Sequence, residues 1–204
     1  MNTQSEHDAK RRILIAAKKL FARQGFDGTT VRQICEEAGA NVALVSYYFG
    51  GKEKVLEEVL KTFLPVGRLN ELEEAMNAPV EGVIELVRSV IRLGYTDPEI
   101  KAILNIEIAF RTPRLAMLQE VALPFWSGLR GLLQKGKELE EFHFEDLDQT
   151  LMMVVGTLFI HTKAHYFEPI FEHYPFEFER LARETCRFVL AGIGYRGEHL
   201  NQFQ

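Results

Sequence analysis

Thr29-Thr-Val-Arg-Gln-Ile-Cys-Glu-Glu-Ala-Gly-Ala-Asn-Val-Ala-Leu-Val-Ser-Tyr-Tyr-Phe-Gly-Gly-Lys52 decides the fold. Thr30 and Gln33 have capping-box spacing, and Val31, Ile34, Cys35 and Ala38 follow on one helical face. Gly39 is a sharp stop, and Asn41 can cap a second short helix that closes at Gly50. Two short helices joined by a tight turn are the layout that lays a helix in the major groove of DNA.

Outward from this stretch the pattern stays helical, with no strand alternation. Ile13, Ala16, Ala17, Leu20 and Phe21 mark an amphipathic helix that Gly25 stops. Leu56, Val59, Leu60 and Phe63 mark another, from Lys52 to the break at Pro65. Beyond Pro65 and Gly67, helices are expected at 68–77, 80–95, 98–111, 114–139, 145–167 and 176–192. Asp97-Pro98-Glu99 is a strong start signal, and Pro124 is expected to kink or divide its helix. The expected fold is all-α: a three-helix DNA-binding domain over 1–52, with a connecting helix to about 64, then a larger helical ligand and dimerisation domain over 65–204.

Charge divides in the same place. Residues 1–64 carry a formal +2 and the remainder −7, within a total of −5. Any nucleic-acid contact is therefore assigned to the N-terminal part. No apolar run approaches the ~20 residues of a membrane span. The polar N-terminus shows no secretory segment, and two lone cysteines make neither a disulfide framework nor a metal site. A cytoplasmic, nucleoid-associated protein is the expectation.

In the helix after Asn41, Val45 and Phe49 face inward. That leaves Val42, Ala43, Leu44, Ser46, Tyr47 and Tyr48 outside, a patch that calls for a partner. Small apolar side chains can touch thymine methyls, and tyrosine hydroxyls can reach phosphates. Lys52 opens the following helix, while Thr29, Thr30 and Arg32 open the preceding one; helix starts attract anions. The alternative is a plain helical hairpin whose sticky patch meets another protein.

The N-terminal ~55 residues resemble the TetR family of bacterial transcriptional regulators. The resemblance is carried by Ile13-Leu-Ile-Ala-Ala17, Leu20-Phe21, Gly25-Phe26, Thr29-Thr-Val-Arg-Gln-Ile34, Ala38-Gly39, Tyr47-Tyr-Phe49 and Lys52. It implies a homodimer on a palindromic operator, a repressor controlled by a small-molecule effector through its C-terminal domain. It also implies base and phosphate contacts from Asn41, Val42, Ala43, Leu44, Ser46, Tyr47, Tyr48 and Lys52, with Thr29, Thr30 and Arg32 on backbone phosphates. Asn41-Val-Ala-Leu-Val-Ser46 stands where the family commonly has Ser-Lys-Gly-Thr-Leu-Tyr. Losing a Lys and a Thr shifts readout toward thymine methyls and DNA shape. The same segment is similar to that of the RefZ-type members, which bind DNA and restrain the division protein FtsZ. A DNA-anchored interaction protein is therefore the second reading, with Glu107, Arg114 and Arg130 as candidate partner contacts.

The C-terminal part speaks less clearly. Leu151-Met-Met-Val-Val-Gly-Thr-Leu-Phe-Ile160 is apolar on every side and is expected to be buried all round. Val155, Gly156, Phe159, Leu181 and Phe188 are the candidate dimer seam. Phe110, Met117, Trp126, Met152, Met153 and Phe159 are candidate pocket walls, although such residues at helical spacing are more often plain core. Glu107 and Arg111 have ion-pair spacing. His161 and His165 have ligand spacing but no companion acid or cysteine, so no metal is assigned. No glycine-rich phosphate loop, activated nucleophile or cofactor signature is present, which argues against an enzyme.

Overall fold

The structure, a computed structural model, describes residues 3–64 and 77–199. Apart from its last residue, the helix expected over 68–77 lies outside the described residues, as does the junction at Pro65 and Gly67. Among the described residues every regular element is helical. They are α1 (Thr3–Gln24), α2 (Val31–Ala38), α3 (Val42–Phe49), α4 (Lys52–Phe63), α5 (Pro79–Thr96), α6 (Pro98–Ala109), α7 (Leu115–Glu138), α8 (Leu147–Ile160), the short α9 (Ala164–Phe167) and α10 (Phe178–Gly192). The described residues form two compact units, one of those up to 64 with 97–123, the other of 77–96 with 124–199.

In the first unit α1 is the central post, packed by α2, α4 and α6. Ile13, Ala17, Phe21, Ile34, Val55, Leu56 and Val59 form its core, each almost wholly removed from water. Lys18 is buried along α1 and bonded to Asp97 at 2.6 Å, with Glu99 at 3.1 Å. Its ammonium also lies 4.2 Å from the Phe63 ring centroid. Asp97 caps α6 through the Ile100 amide, so one carboxylate starts the helix and ties it to α1.

In the second unit α5, α8 and α10 pack together. Gly136 in α7 is required by packing: a Cβ there would enter the ring of Phe142, a fully buried residue of the following loop.

Three expectations change. Of the kink or division expected at Pro124, the division does not occur, since α7 is continuous there. Proline there removes one donor, and the carbonyl it would have served belongs to solvent-exposed Glu120, where water can replace the bond. The helix expected over 145–167 ends at Ile160 and continues as a 3₁₀ turn, His161–Lys163, before α9. The Thr162 hydroxyl donates to the Phe159 carbonyl, offering the backbone a local alternative. Nor is α8 buried on all sides. Only Val154 and Leu158 are buried, while Met152 and Met153 are 68% and 69% exposed.

Candidate nucleic-acid interface

α2 and α3 are held by local chemistry at both ends. The Thr30 hydroxyl accepts from the Gln33 amide, and the Gln33 side chain accepts from the Thr30 amide at 2.8 Å. Gly39 closes α2 at φ 59°, a left-handed conformation that costs other residues ~1 kcal/mol or more. Asn41 caps α3 through the Ala43 amide at 2.9 Å, and Gly50 ends it at φ 82°. Eight-residue helices cannot persist alone, so these closures and the packing of Ile34, Cys35, Val45 and Phe49 hold them.

The outer side of α3 is as expected from its spacing. Val45 and Phe49 are buried, whereas Asn41, Val42, Ala43, Ser46 and Tyr47 are exposed, with Leu44 and Tyr48 half-buried. Tyr47 is 74% exposed, and its ring stacks edge-on against Tyr48 at 5.2 Å. The result is an apolar strip edged with hydroxyls and one amide. Such a strip can meet base edges and thymine methyls. Arg32 is exposed beside the start of α2 and paired with Glu36 at 2.9 Å. That solvated pair is weak enough to yield to a phosphate.

Two expected phosphate contacts sit differently. Thr29 is fully buried and its hydroxyl donates to the Gly25 carbonyl at 2.7 Å, so it cannot reach DNA in this conformation. The Lys52 ammonium donates to the carbonyls of Phe26 and Thr29 at 2.8 and 2.7 Å and lies 4.1 Å from the Phe26 ring centroid. Lys52 therefore ties down the α1–α2 loop, and its ammonium points into that loop and not toward a phosphate.

Sequence reading missed a charged cluster behind this loop. Glu107 is buried and pairs with Arg114 at 3.1 Å, not with Arg111, which takes a left-handed turn at φ 46°. Thr112 also donates to Glu107. Arg114 bonds both oxygens of Asp27 at 3.1 and 3.2 Å. Glu107 and Arg114 are thus interior groups and not exposed partner contacts; Arg130 is exposed and pairs with Asp148. A lone acid between Ile106 and Ile108 was the signal available in the sequence.

The proposed pocket walls are scattered in burial. Phe110 is 77% exposed and Met152 68%, so neither walls an enclosed cavity. Met117, Trp126 and Phe159 are half-buried, and Trp126 meets Phe159 with ring centroids 5.5 Å apart. Among the described residues no group of three His, Cys, Asp or Glu is placed to hold a metal ion. Both cysteines are buried; burial pushes the Cys186 thiol up to about 12 and raises that of Cys35 as well.

Comparison with known proteins fits this geometry. Residues 13–59 match the family model described as bacterial regulatory proteins, tetR family. This segment is a TetR-family domain. The TetR-type segment is similar to the probable HTH-type transcriptional regulator YttP of Bacillus subtilis (strain 168), 44% identical over 54 residues, 26% of each chain. The chain is also similar to the HTH-type transcriptional repressor AcnR of Corynebacterium efficiens, 29% identical over 92 residues, 45% of this chain and 43% of AcnR. These matches span less than half of either relative. Over most of its length the fold is similar to the crystal structure of HlyIIR, a hemolysin II transcriptional regulator. That match has 27% identity and a TM-score of 0.70, covering 88% of this chain and 97% of HlyIIR.

Proposed function

We propose that the chain is a homodimeric transcriptional regulator, a repressor that reads a palindromic DNA site with α3 and is controlled through its C-terminal region. The observation that carries this reading is the outward face of α3, capped at both ends on a TetR-type scaffold. The relatives named above are regulators or repressors, and a helix presenting Val42, Ala43, Ser46 and Tyr47 matches that work. Arg32 and the start of α2 supply phosphate contacts, with Thr30 exposed there. Apolar readers favour half-sites with thymine at the contacted positions.

Dimerisation is assigned to α8 and α10, which pack on each other and leave Met152, Met153, Gly156, Ile160 and Phe188 exposed. Val155, Phe159 and Leu181 are half-buried beside them. Two copies meeting there would form a four-helix seam and bring two α3 helices to one site. A small molecule acts as effector only by binding the DNA-incompetent state more tightly. The names of these relatives give no support to FtsZ as a partner, and that reading is not carried further.

Selection from a random duplex pool tests the proposal. The expected product is an inverted repeat with thymine-rich half-sites, bound with an affinity that falls steeply with salt. Recovery of no preferred duplex would overturn it.

A further inference from the structure

We propose that Arg114, well outside the helix-turn-helix, is a positioning residue for DNA binding. It acts by clasping the loop that aims α2 and α3. This inference rests on the DNA-binding reading.

The clasp is built around residues 25–29. Arg114 directs its two terminal nitrogens at the two oxygens of Asp27 and its third nitrogen, Nε, at Glu107, with the guanidinium carbon 4.3 Å from the Phe26 ring centroid. Lys52 holds the same loop through the Phe26 and Thr29 carbonyls and lies over the same ring. Buried Thr29 bonds back to Gly25. The five-residue loop thus has two cations fixing its backbone, its ring and its acid, and the phosphate-facing start of α2 follows directly at Thr30. Glu107 is 3% exposed and holds Arg114 from behind, and the left-handed Arg111 lets the chain turn back to deliver the side chain.

The geometry suits a fixed orientation. A planar fork spanning a carboxylate sets direction as well as distance, which a lysine cannot do. Asp27 is 82% exposed in its side chain, so it contributes little to the core. An exposed acid held by a nearly buried arginine has orientation as its main effect. Binding to DNA rewards a prearranged surface, and loosening the loop adds an ordering cost to each binding event.

The test uses the full chain and a duplex selected by the wild-type protein. Asp27→Ala should weaken binding about five-fold with a Tm within about two degrees of wild type. Asp27→Glu should recover most of the loss, while Arg114→Lys should resemble Asp27→Ala. Arg114→Gln should weaken binding at least as much, and adding Asp27→Ala to it should cause no further loss. Unchanged binding by Asp27→Ala overturns the proposal, because that variant leaves the fold intact. So do losses that multiply in the double variant, since the two residues would then act separately. A wild-type chain that selects no duplex overturns the DNA reading itself, and this inference with it.

Discussion

α3 and α8 are both predominantly apolar helices with an exposed side, yet they are assigned different partners. Around α3 the exposed strip is edged with the Ser46, Tyr47 and Tyr48 hydroxyls, the Asn41 amide and, on α2, Arg32. On α8 the exposed side carries Met152, Met153, Gly156 and Ile160, joined by Phe188 of α10. A surface that meets DNA needs donors spaced among its apolar groups, because phosphates and base edges must be satisfied. A surface that meets its own copy can omit them. In these proposals exposed apolar area marks a surface for a partner, and the polar groups bordering it decide which partner is proposed.

The largest effect that would break this contrast is at α8. Gly156→Arg should place an unpaired charge in the seam and weaken dimerisation about a thousand-fold, as read by sedimentation velocity. A dimer of unchanged affinity would remove α8 from the interface. Next in size, Tyr47→Ala should weaken binding to the selected duplex about ten-fold without altering Tm. If affinity holds, α3 is not the reading helix. Thr29→Val should leave the DNA-facing groups in place but deprive the Gly25 carbonyl of its donor. A destabilisation of about 1–3 kcal/mol in urea unfolding is expected. Thr30→Ala removes the cap, besides a proposed phosphate contact, and should cost about 1 kcal/mol of stability. The smallest effect concerns the thiols: with Cys186 pushed up to about 12 by burial, its alkylation at pH 8 should be negligible until the protein unfolds. Rapid labelling of the native protein would show that α10 opens.

Much of the first unit was legible because its determinants are local. Thr30, Gln33, Gly39, Asn41 and Gly50 act within three or four residues of themselves, and each cap forms as its spacing suggests. Pairs distant in sequence were not legible. Nothing local says that Arg114 reaches Asp27, or that Lys52 turns to the carbonyls of Phe26 and Thr29. Isolated Glu107 signalled a buried charge without naming its partner. For α8, composition pointed to burial, but one chain covers only Val154 and Leu158. The dimer seam proposed at α8 and α10 would cover the side of the helix that one chain leaves exposed.

Gly136 bears on how such a chain can diversify. Val42, Ala43 and Tyr47 stand in open solvent, so their replacement leaves the fold alone, and under the proposed function it would retune DNA preference. Any side chain at Gly136 would evict the Phe142 ring from the core. Sequence change is therefore free along the exposed side of α3 and pinned at this glycine, where a single methyl group would have to be matched by a second, simultaneous change at Phe142.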